Sequence, residues 1–218
     1  MYAIIVGCGR VGSRLAQLLS ANKNNVVVVD KDVTKFEELG SSFDGSTIEG
    51  DGTDQDVLEK AGGAKADVFV ATTEDDNTNL MACQIARQVF NVRNVIARVN
   101  DPKREGLFKD LSIDAIVCPT TIAAAHFRNA VMHPGLVTII AVDGGNIEIS
   151  EIRVKGSAVG KALKDLNLPK ESTIAAIIRE KKTLIPSKDT VIQEGDTVVV
   201  VNLAGVSDEV RNILSMGE

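Results

Sequence analysis

The sequence predicts an α/β fold, in which a doubly wound parallel sheet of six strands precedes a small α+β subdomain. Apolar strand-like runs alternate six times with helical patterns between residues 2 and 132, which is typical of a sheet covered on both faces. A glycine-rich motif joins the first strand to the first helix, as in Rossmann-like domains. Beyond residue 134 paired strands replace this alternation, so we expect domains at 1–134 and 135–218.

The first strand and the first helix enclose a motif suited to phosphate binding. Residues 2–6 form an apolar strand that runs into Gly7–Cys8–Gly9–Arg10–Val11–Gly12, which matches G-x-G-x-x-G. Gly7 permits the tight turn, Gly9 lets phosphate oxygens approach the backbone, and Gly12 lets the helix pack close to the sheet. The helix N-terminus adds unpaired N–H groups. The motif predicts a nucleotide site, whereas a plain strand–helix turn is the structural alternative.

The second strand ends on an acidic residue at the distance expected for a nucleotide-binding fold. The apolar run Val26–Val29 is followed by Asp30. A carboxylate at this place can accept hydrogen bonds from ribose hydroxyls and disfavours a 2′-phosphate. The expected ligands are therefore NAD(H) or an adenosine nucleotide (ATP, ADP or AMP) rather than NADP.

Hydrophobic periodicity places the other elements of the first domain. Further helices are predicted over 33–39, 55–61, 77–90, 102–111 and 121–132, and further strands over 46–49, 67–71, 94–99 and 113–118. Apolar positions that share a helix face are Val11, Leu15, Leu18 and Leu19 in the first helix, Val57, Leu58 and Ala61 in the third, and Leu80, Cys83, Ile85, Ala86 and Val89 in the fourth.

A stop signal at His133–Pro134–Gly135 marks the predicted domain boundary. Beyond it, strands are predicted over 137–142, 147–154, 173–179, 183–185 and 196–203, with a turn at 143–146 and a short helix near 161–166. A closing amphipathic helix carries Val206, Val210, Ile213 and Leu214. A module of about 80 residues is near the size at which a core is marginal alone, so packing against another copy would be a natural remedy.

Composition limits the classes of function. The chain has 218 residues, of which 44% are hydrophobic and 25% charged, as in globular proteins with an adequate core. A net charge of −6 argues against a nucleic-acid partner. Three scattered cysteines, Cys8, Cys83 and Cys118, are too few for a disulfide framework or a zinc site. No apolar run is long enough to span a membrane and no signal peptide precedes the first strand, so a cytoplasmic protein is expected.

Several motifs occur in a defined order along the chain. They are the glycine motif, Val29–Asp30–Lys31, Gly50–Asp51–Gly52–Thr53, Ala71–Thr72–Thr73 with Asp75, Asn77, Asn79 and Leu80, Ile96–Ala97–Arg98–Val99, Ile122–Ala123–Ala124, His133–Pro134–Gly135, Gly156, Gly160–Lys161, Leu163, and Glu194–Gly195–Asp196. Together they resemble the regulatory subunits of Trk/Ktr potassium-uptake systems, the TrkA family, which are built from RCK (regulator of potassium conductance) domains. The resemblance covers essentially the whole chain.

The resemblance implies a regulatory subunit and not an enzyme. Subunits of this kind assemble through dimers into a ring, expected to be octameric, at the inner face of the cell membrane beneath a membrane-embedded potassium transporter. Exchange of NAD for NADH, or of ATP for ADP, reshapes the ring and opens or closes the ion pathway. The helix at 121–132 would cross over to a neighbouring subunit through Ile122, Ala123, Ala125, Phe127 and Val131, whereas an ordinary core helix is the alternative.

The expected ligand-binding residues are Gly7, Cys8, Gly9, Arg10, Val11, Gly12, Asp30, Lys31, Asp51, Gly52, Thr72, Thr73 and Arg98. Arg10 could pair with a phosphate as a planar fork, or could be a solvated loop residue. Asp51 could bind an adenine amino group, although capping of the next helix by Asp51 or Thr53 is the alternative.

Other side chains on the strand ends also have two interpretations. Thr72 and Thr73 could contact ribose or phosphate, or could cap the helix that begins near Asn77. Arg98 ends a strand and needs an acceptor, which could be a phosphate, Asp75, Asp101 or a neighbouring subunit. The acidic run at 74–76 is interpreted as a solvated helix N-terminus, with a divalent cation as the alternative.

Two other functions are compatible with a nucleotide site. An NAD-dependent oxidoreductase would need a proton-transfer residue near the nicotinamide, and the residues after His133 include no histidine, tyrosine or cysteine. A nucleotide or redox sensor for another channel or antiporter is the other alternative. Cys8 could sense oxidation, although a small residue that fits the turn is the favoured interpretation.

Overall fold

The computed structural model describes residues 1–132, 136–142, 146–180 and 182–215. The chain divides into two compact units, Met1–Thr121 and Ile122–Glu218. The predicted boundary at His133–Pro134–Gly135 lies outside the described residues, and the domain limits 1–134 and 135–218 therefore stay a prediction.

The first unit contains the predicted doubly wound sheet, and the fold class is confirmed. Its strands are β1 (Tyr2–Val6), β2 (Asn25–Asp30), β3 (Ser46–Glu49), β4 (Val68–Ala71), β5 (Asn94–Arg98) and β6 (Ala115–Val117). They are all parallel and lie in the order β3-β2-β1-β4-β5-β6. The helices are α1 (Arg10–Ala21), α2 (Gln55–Lys60), α3 (Asp76–Gln88), α4 (Glu105–Asp110) and α5 (Pro119–Met132), the last of which continues into the second unit.

The sheet is buried on both faces, which explains why its central strands are apolar throughout. Neighbouring residues of β1, such as Ile4 and Ile5, belong to cores on opposite faces of the sheet, and both are fully buried. The chain reverses its direction of winding between β1 and β4, since β2 and β3 lie on one side of β1 and β4 to β6 on the other. This switch point is where doubly wound sheets bind their ligands.

The first helix buries small residues most deeply, and only part of the predicted apolar face packs against the core. Helix α1 packs the small residues Gly12, Ser13 and Ala16 inward, whereas Val11 and Leu18 are 40% and 48% exposed. Small side chains let the helix lie close to the sheet. Of the four apolar residues predicted to share a face, Leu15 and Leu19 pack partly buried against the core, whereas Val11 and Leu18 are exposed.

Three predicted helices are shorter or tighter than expected. Residues 33–39 form a 3₁₀ helix in which only Leu39 is buried and Phe36 packs partly buried against the core. The predicted helix at 102–111 is a 3₁₀ turn, Pro102–Arg104, followed by α4, and the one near 161–166 is a single turn at Leu163–Asp165. Val89, a predicted core residue, follows the end of α3 and is 45% exposed.

The second unit is an antiparallel sheet with one helix packed on it. Strands β7 (Leu136–Val142), β8 (Ile147–Arg153), β9 (Ser172–Arg179), β10 (Lys182–Leu184) and β11 (Thr197–Leu203) lie in the order β10-β9-β11-β8-β7, and α6 (Ser207–Ser215) closes the described chain. Ile177, Val198, Val210 and Leu214 are fully buried in its core. Most of the predicted turn at 143–146 lies outside the described residues. Among the described helices none is long and apolar enough to cross a membrane.

Candidate functional site

A cavity of about 320 Å³ opens at the carboxyl ends of the first five strands. Its lining comprises Val6, Gly7, Gly9, Arg10, Val11, Val29, Asp30, Lys31, Lys35, Gly50, Asp51, Gly52, Thr72, Thr73, Glu74, Asp75, Thr78 and Arg98. The structure thus brings together every predicted site residue except Cys8 and Gly12, which do not line the cavity. Sequence analysis did not assign Lys35, Glu74, Asp75 or Thr78 to this wall.

Each glycine of the loop between β1 and α1 has a different physical role. Gly7 has φ +98°, which favours glycine, and its N–H donates to Val29 O at 2.8 Å. A Cβ on Gly12 would stand 1.9 Å from Gly7 O, so close packing of α1 requires glycine there. Gly9 is the N-cap of α1, and a Cβ added to it would meet no atom within 4 Å. Only Gly9 therefore leaves open space that a ligand could use.

The carboxylate of Asp30 shapes the glycine loop as well as the cavity. It accepts hydrogen bonds from Cys8 N–H at 2.6 Å and from Asp32 N–H at 3.0 Å. A carboxylate has about four acceptor positions, so lone pairs remain for hydroxyl donors. The Cys8 thiol is fully buried and donates to Lys35 O at 3.3 Å. Burial raises the pKa of Cys8 to about 11, which makes this thiol a packing group and not a reactive one.

The turn after β3 brings a second carboxylate to the cavity. Asp51 Oδ1 accepts hydrogen bonds from Thr53 N–H at 2.8 Å and from Thr53 Oγ1 at 2.7 Å, and these bonds lower the pKa of Asp51. A Cβ on Gly52 would lie 2.2 Å from a methyl group of Val6, so glycine lets this turn approach β1. The expected alternative, capping of α2 by Asp51 or Thr53, is wrong, because Asp54 is the N-cap.

The two threonines after β4 use their hydroxyls within the protein. Thr72 Oγ1 donates towards Val6 O at 3.1 Å and Gly7 O at 3.0 Å, which fastens the end of β4 to the glycine loop. Thr73 Oγ1 donates to Asn79 Oδ1 at 2.7 Å. The expected capping of α3 by these threonines is wrong, since Asp75 is the N-cap. Both threonines line the cavity while their hydroxyls hold its wall in shape.

Two buried polar residues of α3 hold the cavity wall together. Asn79 is fully buried, accepts from Thr73 N–H at 2.8 Å, and donates to Thr73 O at 3.0 Å and Arg98 O at 2.9 Å. Asp76 is 6% exposed and accepts from Asn100 N–H at 2.7 Å and Asp101 N–H at 3.1 Å. Asp76 is therefore not part of a solvated helix face as expected. A sequence signal exists for Asn79, because Ala82, Cys83 and Ala86 at the neighbouring positions of the helical period are apolar, whereas Asp76 has no such signal.

The positive charges of the cavity lie around the glycine loop and the end of β5. Arg10, Lys31, Lys35 and Arg98 all line it. The Arg98 guanidinium is half-buried, its Nη1 donates to Thr72 O at 3.4 Å, and its buried Nε has no hydrogen-bond partner. No ion pair joins Arg98 to a carboxylate among the described residues, so Asp75 and Asp101 are not its acceptors. Within the same part of the chain, no cluster of acidic, histidine or cysteine side chains could hold a metal ion.

The sheet order, the glycine turn at the switch point and an acidic residue at the end of β2 define a Rossmann-like domain of the class that binds nucleotides. Comparison with known proteins identifies the particular family. The TrkA-N domain profile matches residues 3–119 and the TrkA-C domain profile matches residues 149–215. The chain therefore belongs to the TrkA family.

Relatives matched over nearly their full length agree with this assignment, and solved structures share the fold. The chain is 36% identical to the Trk system potassium uptake protein TrkA of Streptomyces coelicolor, over 98% of this chain and 94% of the relative. It is 33% identical to a TrkA homolog of Pyrococcus abyssi, over 98% of this chain and 97% of the relative. The GsuK channel bound to NAD shares the fold with a TM-score of 0.56 at 20% identity, over 96% of this chain and 38% of the channel chain. The AMP-bound Kef C-terminal domain of Shewanella denitrificans gives a TM-score of 0.52 at 22% identity, over 62% of this chain and 82% of that domain.

Proposed function

We propose that this chain is a nucleotide-binding regulatory subunit that gates a separate membrane potassium transporter. The observation that carries the proposal is the cavity at the switch point, where Gly9 faces open space beside Asp30. Relatives that match this chain over nearly their whole length are named as Trk potassium uptake proteins. Fold neighbours are described as bound to NAD and to AMP, which supports NAD(H) or an adenosine nucleotide as the ligand.

The cavity residues match the parts of such a ligand, from base to phosphate, in the order of the strands β3, β2 and β1. Ribose hydroxyls would donate to Asp30 at the end of β2, while Asp51 lies beyond it at the end of β3 for the base. The first phosphate would lie against Gly9 and the N-terminus of α1, where backbone N–H groups and the helix dipole favour an anion. The fit rests on two features of this cavity, namely the space at Gly9 and the cation Arg98, which forms no ion pair with a described carboxylate.

Gating requires that the ligand bind two conformations of the assembly with different affinity. The cavity wall has a hydrogen-bonded route to the helix that leaves the first unit. Asn79 joins Thr73 to the backbone of Arg98, and Thr120 in the first turn of α5 donates to Asn100 O at 3.1 Å. A movement of the cavity wall on ligand binding would therefore be transmitted to the first turn of α5.

The assembly itself is proposed to be a ring of dimers, octameric as in the resemblance, at the inner face of the membrane. Helix α5 supports this, because Ile122, Phe127 and Val131 are 51%, 74% and 75% exposed in the single chain. Large exposed apolar side chains of this kind are common on surfaces that contact another protein. The helix is thereby available for a neighbouring subunit.

A ligand panel tests the binding step. Thermal unfolding would be measured with AMP, ADP, ATP, NAD, NADH and NADP, and a ligand at 100 times its Kd should add about 2.7 kcal/mol to the free energy of unfolding. We expect stabilisation by adenosine nucleotides or NAD(H), weak stabilisation by NADP, and no hydride transfer to small alcohols or acids. The absence of any stabilisation would remove the basis of the proposal, and steady turnover would support an oxidoreductase instead.

A transport assay tests the gating step. Potassium uptake would be compared in cells that carry the transporter with the wild-type chain, with Gly9→Ala, and with the matched control Gly106→Ala. Gly106 also faces open space but lies in α4, away from the cavity lining. We expect nucleotide-dependent uptake to fail only in Gly9→Ala. If potassium uptake with the wild-type chain did not depend on the nucleotide, the gating role would be contradicted, while nucleotide binding could still hold.

A further inference from the structure

We propose that Glu74 and Asp75 make this cavity selective for a dinucleotide such as NAD over ATP. Their carboxylates would accept hydrogen bonds from the hydroxyls of the second ribose of a dinucleotide and would repel the third phosphate of ATP. The inference rests on the proposed nucleotide site and deepens it, because it names the class of ligand that this site takes.

The segment that follows β4 passes directly beside the glycine loop. A Cβ on Gly7 would stand 3.0 Å from Thr73 N and 3.1 Å from the carbonyl carbon of Thr72. Thr72 Oγ1 also donates towards Gly7 O at 3.0 Å, which holds the two segments together. The next two residues, Glu74 and Asp75, line the same cavity and lead into the first turn of α3. Both carboxylates therefore belong to residues just beyond the contact with the loop.

The order of the strands decides which part of a ligand would meet these carboxylates. In the proposed arrangement the first ribose lies at Asp30 on β2, and the first phosphate lies at Gly9 after β1. Strand β4 is the neighbour of β1 on the side away from β2. A ligand that continues across the sheet past Gly9 would thus reach Glu74 and Asp75 with the group that follows its second phosphate. In NAD that group is a ribose, whereas in ATP it is another phosphate.

The two carboxylates are available to accept hydrogen bonds from a ligand. Both residues are exposed, and Glu74 forms no ion pair with any described residue. Asp75 accepts a hydrogen bond from Thr78 N–H at 2.6 Å, which lowers the pKa of Asp75, so this carboxylate is negatively charged at neutral pH. A carboxylate has about four acceptor positions, so Asp75 can cap α3 and still accept from a hydroxyl. Such groups suit a ribose, whose hydroxyls donate, and not a phosphate.

The charges of the cavity do not favour the most anionic ligand. Its described lining includes four cationic side chains and four carboxylates, which are Arg10, Lys31, Lys35 and Arg98 against Asp30, Asp51, Glu74 and Asp75. Among the described lining residues that follow or end β4 and β5, two carboxylates accompany one cation, Arg98. Like charges placed together in a cleft suppress binding of the wrong partner. ATP carries the largest negative charge of the candidate ligands, whereas the nicotinamide cation of NAD offsets part of its phosphate charge.

Calorimetric titration of the full chain with NAD, ATP and ADP tests the inference, with EDTA present so that no divalent cation bridges carboxylates and phosphates. We expect the wild type to bind NAD more tightly than ATP. The double substitution Glu74→Gln with Asp75→Asn removes both charges and keeps a cap on α3, because Asn caps a helix about as well as Asp. In this variant ATP should bind roughly threefold to tenfold more tightly and NAD more weakly by a similar factor, since exposed charges have modest effects. ADP has neither the second ribose nor the third phosphate, so its Kd should change less than about twofold.

The matched control is Asp110→Asn, which removes the charge of an exposed carboxylate in α4 that does not line the cavity. Its Kd values for the three ligands should equal those of the wild type. Thermal unfolding without ligand checks that the double variant is folded. If it is not, Glu74→Gln alone decides, because Glu74 is not the N-cap of α3. A wild-type ratio of the Kd values for NAD and ATP in Glu74→Gln would then overturn the inference.

The outcomes separate this inference from the function on which it rests. Binding of ATP by the wild type as tightly as NAD would overturn the selectivity while leaving a nucleotide site. The same conclusion would follow if the double substitution changed the binding of all three ligands by the same factor. Failure of the wild type to bind any of them would overturn both the selectivity and the proposed nucleotide site.

Discussion

The substitution Gly9→Ala separates ligand binding from stability within the glycine loop. The added Cβ would meet no protein atom within 4 Å, and φ −75° with ψ −173° is allowed for alanine. Replacing Gly by Ala in an allowed conformation stabilises by about 0.4–1 kcal/mol through the unfolded chain. Alanine is a poorer N-cap than glycine by a similar amount, roughly 0.5–1 kcal/mol. The free energy of unfolding without ligand should therefore change by less than about 1 kcal/mol.

Gly12→Ala provides the opposite case three residues away. Its Cβ would lie 1.9 Å from Gly7 O and 2.6 Å from Thr72 Oγ1, so α1 must move away from the sheet. Overpacking typically costs 1–3 kcal/mol, and a collision with backbone should reach about 3 kcal/mol or more. With about 2–4 °C per kcal/mol for a chain of this size, the Tm should fall by roughly 6–12 °C.

The assay is thermal unfolding with and without ADP. At 100 times its Kd, ADP should add about 2.7 kcal/mol to the wild type, a rise in Tm of roughly 5–11 °C. In Gly9→Ala the same ADP concentration should give a rise of less than about 1 °C, because the methyl group occupies the space where phosphate approaches the backbone. Gly106→Ala should retain the wild-type response.

Two results would refute this reasoning. An unchanged Kd for ADP in Gly9→Ala would show that the ligand does not approach the backbone at this residue. A Gly12→Ala protein as stable as the wild type would show that the close contact between α1 and the loop is not required.

Three further predictions concern residues outside the glycine loop. Asn79→Ala should lower the free energy of unfolding by roughly 2–4 kcal/mol in urea titrations, because the substitution leaves buried backbone groups unpaired. The control is Asn77→Ala, which changes an exposed residue of the same helix. Equal destabilisation by the two substitutions would contradict this prediction. Arg179 binds the buried Asp196 through two contacts of 2.8 Å and lowers its pKa, so Asp196→Asn should reduce the Tm at pH 7 by roughly 5 °C or more. The difference in Tm between the wild type and Asp196→Asn should shrink in calorimetry as the pH falls below about 4, because protonation of Asp196 then removes the ion pair in the wild type. A difference in Tm that stays constant over this pH range would contradict the prediction. Cys8, with its pKa raised to about 11, should react with maleimide at pH 8 far more slowly in the folded than in the unfolded protein, and rapid labelling mapped to it would contradict this.

The candidate site was largely predictable because its geometry follows from strand order. Gly9, Asp30, Asp51 and Arg98 lie far apart in the sequence, yet each follows or ends a strand of one parallel sheet. Carboxyl ends of parallel strands share an edge, so the motifs had to converge there. What could not be read from the motifs is which polar groups remain available to a ligand. The hydroxyl of Thr72 is used inside the protein, whereas the guanidinium of Arg98 forms no ion pair with any carboxylate that the structure describes.

The sequence by itself determined the class of fold, the glycine loop and the acidic end of β2, because these depend on local pattern and on the alternation of strands and helices. The tertiary structure decided which face of α1 packs inward, since the distance between helix and sheet selects Gly12 and Ala16 over the larger Val11. It also decided that Asn79 and Asp76 hold the segments of the cavity wall in place through hydrogen bonds. Their partners are backbone groups, which every residue type supplies, so the sequence can indicate that Asn79 faces inward but cannot identify what either side chain binds.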